Sequence, residues 1–160
     1  MVVSCFSKVF TMTQTIYVLL LKDEKWYVGR TNNLEKRLER HRKGEGSEWT
    51  IKHPMIKCIH SFETLDNLDE DKIVLGYMTL YGIDNVRGGS FSEISLHWIE
   101  LYMIDKILKN ASDRCFECGD THFVKKCTGI KFCHRCKREE HSVKECFAIN
   151  DRDGNKIPLP

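Results

Sequence analysis

Three features of this 160-residue chain predict an α+β protein. The expected architecture is a small three-stranded antiparallel sheet flanked by helices, followed by a small module rich in cysteine and histidine. Two β-rich runs, Thr15–Leu21 and Lys25–Gly29, are separated only by Lys22-Asp23-Glu24, the spacing of a hairpin. Helical patterns follow, with apolar residues recurring three and four apart. Six of the eight cysteines crowd between Cys115 and Cys146, with His122 and His141 among them.

The length suits one domain of about 100 residues plus something smaller. The expected divisions are a leader over 1–12, a main domain over 13–110 with a C-terminal helix, the cysteine–histidine module over 114–147, and a tail over 148–160. A hydrophobic content of 41% supports a packed core. The net charge of +2 excludes a global basic field, so attraction for a polyanion must be local. Residues 30–43 hold six Lys/Arg against two acids, a local +4. The longest apolar run, Ile16–Leu21, is too short for a membrane span. No trustworthy signal peptide opens the chain. An intracellular protein without membrane contact is expected.

In the helix after the hairpin, Asn32 can serve as cap and Glu35 falls at the third helical position. Gly44 is a natural stop. Leu34, Arg37, Leu38 and His41 share one face. Residues 44–54 read as a polar loop and Met55–Phe62 as the third strand. Asp66–Tyr81 reads as a helix, its acidic start (Asp69, Glu70, Asp71) suited to a helix N-terminus. Gly82 and Arg87-Gly88-Gly89 mark a loop. Glu93–Leu108 is an amphipathic helix, and Asn110–Asp113 a linker.

Zinc takes four soft or borderline ligands in a tetrahedron, and a Cys-x2-Cys turn supplies two of them at low entropic cost. Cys133, Cys136, His141 and Cys146 have the spacing C-x2-C-x4-H-x4-C. Cys115, Cys118, His122 and Cys127 have C-x2-C-x3-H-x4-C, one residue shorter. The second set resembles a zinc knuckle in every interval, and the first resembles one with a deletion. Two structural zinc ions are expected in a reducing compartment. The ligands belong either to two sequential knuckles or to a cross-braced pair. Phe116, Phe123 and Phe132 among Lys125, Lys126, Lys131, Arg135, Lys137 and Arg138 can stack bases and hold phosphates.

Ile16-Tyr17, then Tyr27-Val28-Gly29 after nine intervening residues, then an arginine-bearing helix, resemble the GIY-YIG nuclease superfamily. The family's first glycine is Thr15 here. The segment Tyr81–Phe91 resembles one in GIY-YIG proteins of large DNA viruses and some bacteria, several of which carry zinc knuckles. The resemblance implies catalytic roles for Tyr17, Tyr27, Arg37, His41 and Glu70, with Glu70 binding one Mg²⁺ and Asp71 as its rival. It implies a Mg²⁺-dependent DNA endonuclease leaving 5′-phosphate and 3′-hydroxyl ends. A tyrosine of ordinary pKa, about 10, is a poor base at neutral pH, so metal and arginine must help it. Arg30, Arg40, Arg42 and Lys43 are the expected phosphate-tracking surface. Trp49, Thr50 and His53 resemble a family loop near the site, for substrate contact or packing, and Asn85 and Arg87 can brace it. Two other readings stay open: an inactive GIY-YIG core whose knuckles grip DNA or RNA, and a zinc module that recruits a protein partner.

Overall fold

A computed structural model describes residues 13–157. The expected leader, with Cys5, and the last three residues lie outside the described residues. The described chain forms two compact units, the first ending at Ile94 and the second beginning at Ser95. The last helix and the tail therefore group with the cysteine module, although the sequence reading set them apart from it.

The first unit is built on a sheet ordered β3-β1-β2-β4. Strands β1 (Gln14–Leu21) and β2 (Trp26–Thr31) form the expected antiparallel hairpin, with Tyr17 opposite Gly29. Strand β3 (Met55–Thr64) pairs antiparallel with the other edge of β1. The sheet has four strands, not three. Strand β4 (Val86–Gly88) runs parallel to β2, within the segment expected to be a loop. Its arginine and glycine hide a strand only three residues long.

Both faces of the central strands β1 and β2 are covered, which is why β1 is a continuous apolar run rather than an alternating one, while β3 is largely exposed. On one face, Tyr17, Leu19, Leu21, Tyr27 and Trp49 form a buried cluster joined by Leu34 and Leu38 of α1 (Leu34–Arg42). On the other, Trp26 meets Tyr77 and Tyr81 of α3 (Asp69–Tyr81), with ring centroids 5.3 and 4.3 Å apart.

Helix α1 is capped by Asn33, one residue later than expected, whose side chain accepts from the Lys36 amide. It ends at Arg42, and Gly44 takes the left-handed conformation, φ 73°. The expected polar loop contains a short helix, α2 (Glu48–Lys52), capped by Ser47. Helix α2 is pinned to the hairpin: Trp49 Nε1 donates to the Trp26 carbonyl at 3.1 Å, and His53 Nδ1 lies 2.9 Å from Asp23 Oδ2.

The second unit contains α4 (Trp98–Ala111), starting five residues later than expected, and both cysteine–histidine sets. Its buried cluster is Cys133, Cys136 and Ile157, with Trp98, Val143, Cys146 and Ala148 against it. The tail is part of this module, because the Arg152 amide donates to the Cys136 carbonyl at 2.9 Å. No helix among the described residues is long and apolar enough to cross a membrane.

Candidate functional site

Strand β1 delivers Tyr17, β2 delivers Tyr27, and α1 delivers Arg37 and His41 one turn apart. Arg37 Nε donates to the Tyr17 hydroxyl at 2.9 Å, and that oxygen lies 3.0 Å from His41 Nε2. Tyr27 also acts electrostatically on Arg37. The Tyr17 and Tyr27 ring centroids are 6.3 Å apart.

The direction of the proton chain follows from its far end. Thr50 Oγ1 donates to the Ser47 carbonyl at 3.0 Å, so its proton is committed. His41 Nδ1, 3.2 Å from the same Oγ1, must then be the donor. A neutral His41 is left with a bare Nε2, which accepts the Tyr17 proton. The Tyr17 hydroxyl thus donates to His41 and accepts from Arg37. Burial is the chief cause that pushes Tyr17 up to about 12, with Arg37 working against it. Burial, then Arg37 and Arg40, lowers His41 to about 4.

A stability prediction follows. Unfolded His41 takes a proton below its ordinary value of 6.5, and the folded residue only near 4. Between those values the unfolded chain binds more protons, so stability falls as pH falls. The expected loss is on the order of 2 kcal/mol across that window, after allowance for solvent screening. Urea denaturation at a series of pH values should show this slope in the wild type and a flatter one in His41→Gln. Parallel slopes would refute it.

Two glycines make room for the cluster. A Cβ on Gly29 would fall on the Tyr17 hydroxyl, and one on Gly46 would meet Thr50 Oγ1 and His41 Nδ1. Tyr17 cannot give way, because it is buried and bonded on two sides. Gly29→Ala is expected to cost about 3 kcal/mol in denaturant unfolding, at the upper end for overpacking. Wild-type stability in that variant would refute the close approach.

Glu70 and Asp71 are adjacent but differently placed. Asp71 holds a turn: its Oδ1 and Oδ2 accept from the Ser90 amide at 2.8 Å and the Ser90 hydroxyl at 2.7 Å. The Glu70 side chain is 13% exposed and pairs with Arg30 Nε at 3.1 Å through Oε2. Its Oε1 accepts from the Gly89 amide at 3.2 Å. Burial raises the Glu70 carboxyl above the usual range, while Arg30, Gly89 and Arg37 pull it back.

The expected phosphate-tracking residues divide. Arg30 is tied to Glu70. Arg40 donates to the Glu45 carbonyl at 3.2 Å, and Arg42 and Lys43 share Glu39 on the exposed face of α1. Trp49, Thr50 and His53 are all buried. Arg87 is buried as well, bonded to the carbonyls of Ile83, Val86 and Glu93 and lying 4.6 Å from the Trp49 ring centroid. Asn85 Oδ1 accepts from Lys25 at 2.6 Å. Ser47 and Gly46 were not among the sequence candidates. Their only local signals were the cap position and a glycine in a polar loop.

In the second unit, Cys115, Cys118, His122 and Cys127 form one group, and Cys133, Cys136, His141 and Cys146 another. Within each group the ligand atoms lie within 4.8 Å of one another. The pairing is sequential rather than cross-braced. Thiolates around a tetrahedral zinc lie about 3.8 Å apart, so either group can close on an ion. The seven cysteines among the described residues are free thiols. Beside the first group is a concave surface of about 750 Å³ lined by Arg114, Phe116, Phe123, Lys125 and Lys126.

An α+β domain with tyrosines, arginine and histidine beside a half-buried carboxylate has the donor set that phosphodiester chemistry uses. Residues 14–70 match the family described as the GIY-YIG catalytic domain. A UPF0213 protein of Clostridium perfringens is 42% identical over 55 residues, 34% of this chain and 58% of the relative. Another, of Bacillus velezensis, is 43% identical over 56 residues, 34% of this chain and 57% of the relative. The chain spans little more than half the length of these relatives. Both are bacterial, whereas the sequence resemblance points to viral proteins as well. No solved structure matches the chain.

Proposed function

We propose that this protein is a Mg²⁺-dependent DNA endonuclease with a zinc-stabilised module that helps hold the nucleic acid. The observation that supports it best is the convergence of Tyr17, Tyr27, Arg37 and His41 from three elements, with Glu70 electrostatically coupled to Tyr17 and Arg37.

The residues fit a hard divalent cation. Glu70 is an oxygen donor whose burial is incompletely offset, and Mg²⁺ keeps most of its waters and takes few protein carboxylates. Glu70 suits the role better than Asp71, because one of its two partners is the part-exposed Arg30 side chain, whereas both Asp71 oxygens hold the Ser90 turn. When bound, the cation supplies charge against that growing on the phosphate and lowers the pKa of a coordinated water. Arg37 grips the scissile phosphate with the part of its guanidinium that the tyrosines leave free. Tyr17 is fully buried, with its hydroxyl proton directed at His41 Nε2 and its lone pair toward Arg37, so its role is to position the arginine. Tyr27 is the hydroxyl left to orient the attacking water.

Two zinc ions occupy the cysteine–histidine groups as structural metals, since four protein ligands leave no open position. Phe123, 85% exposed, and Phe116 offer faces to unpaired bases beside Lys125 and Lys126.

The test is a cleavage assay on single-stranded, duplex, flap and branched DNA with Mg²⁺. Wild type should cleave at least one of them, and Glu70→Ala should lose the activity. No cleavage of any member, or equal cleavage by the variant, would refute the assignment.

A further inference from the structure

Both Glu70 oxygens are already engaged, one by Arg30 and one by the Gly89 amide. A cation arriving at this carboxylate competes with both of them for its charge and lone pairs. The Gly89 amide is fixed, because the next residue, Ser90, is tied to Asp71 by two hydrogen bonds. Arg30 is the partner able to leave. Its side chain is 42% exposed on a flexible stem, and its other contact is a 3.4 Å approach of Nη1 to the Asn67 carbonyl. A guanidinium and a divalent cation at one carboxylate also repel each other.

We propose that Arg30 and a divalent cation exchange at Glu70, and that the displaced Arg30 turns to a nucleic-acid phosphate. The proposal rests on the assignment of Glu70 as the cation ligand. Arg30 lies near the end of β2, next in sequence to Gly29, and its part-exposed side chain reaches over to Glu70. Its planar fork is suited to phosphate oxygens. Before metal binds, Arg30 stands in for it and holds the carboxylate aimed. After metal binds, it adds a phosphate contact. Cation and DNA then favour each other's binding, as linkage requires.

The test uses the full chain and two readouts besides cleavage. Without DNA, calorimetry with Mg²⁺ and spin resonance with Mn²⁺ should show Arg30→Gln binding the cation about fivefold more tightly than wild type, the scale of a partly exposed ion pair. Duplex DNA binding should be equal for the two proteins without divalent ions. With Ca²⁺ as a probe cation, Arg30→Gln should bind about fivefold more weakly than wild type. Arg30→Lys, which keeps the charge without the fork, should restore near wild-type cation affinity and only part of the DNA effect. Unchanged or weaker cation affinity in Arg30→Gln, or DNA binding weakened equally with and without Ca²⁺, would overturn the exchange. If Glu70→Gln binds the cation as well as wild type does, the underlying assignment fails instead.

Discussion

Replacing Arg37 with alanine is expected to lower the cleavage rate on the order of a thousandfold while leaving the fold in place. On the proposed function the chemical loss is large, because Arg37 is the cation held directly against the Tyr17 hydroxyl, in a site where burial strengthens charge interactions. The structural loss is small because the Tyr17 hydroxyl still donates to His41. Only the hydrogen bond accepted from Arg37 disappears, at about 1 kcal/mol. The deficit should fall mainly on the turnover rate, since charge on the phosphate grows toward the transition state. Arg37→Lys should recover only part of it, because an ammonium lacks the planar fork that serves the Tyr17 hydroxyl and a phosphate together. Single-turnover cleavage with a parallel unfolding curve separates the two costs. An alanine variant within tenfold of wild type and equally stable would remove Arg37 from the chemistry.

Removing the structural metals is expected to unfold the second unit. The buried cluster of that unit contains two of the ligands, Cys133 and Cys136, packed with Ile157, and Cys146 beside them. Apolar packing there is small, so on the proposed zinc assignment metal binding supplies most of the folding energy of this unit. Cys136→Ser, or zinc-selective chelation with Mg²⁺ resupplied, should abolish the near-ultraviolet signal of Trp98 and release about two metals per chain in the chelated wild type. DNA affinity should drop with it, whereas the Tyr17 cluster draws no residue from this unit. A chelated chain with full amide protection across residues 115–157 would show that the fold does not depend on metal.

Much of this was legible locally. The hairpin needed only two β-rich runs and a three-residue gap. The i, i+4 spacing of Arg37 and His41 placed them on one face of a helix before any tertiary contact was known. Cysteine spacing named the two cysteine–histidine groups that the fold gathers, because such a set is built from short turns. Other features were hidden because their cause lies far along the chain. Strand β4 is three residues with an arginine and a glycine, and it exists because β2 offers it an edge. Arg87 and Arg30 look alike in sequence, yet one is buried under carbonyls and the other is paired with a carboxylate.

The sequence by itself determined which chemical groups are present and which share a local element: the tyrosine pair, the arginine–histidine turn and the eight soft ligands. The different partners of Glu70 and Asp71, Arg30 with Gly89 for one and Ser90 for the other, come from the tertiary structure alone. Successive helical residues point about 100° apart, so the packing of α3 against the sheet sets which carboxylate turns toward Arg30 and which toward Ser90. It also decided the course of the Tyr17 proton, because that depends on Thr50 and Ser47, brought in by a helix anchored through Trp49. Spacing records neighbours along the chain. The orientation of a buried hydrogen-bond chain is set by groups that meet only after the sheet has closed.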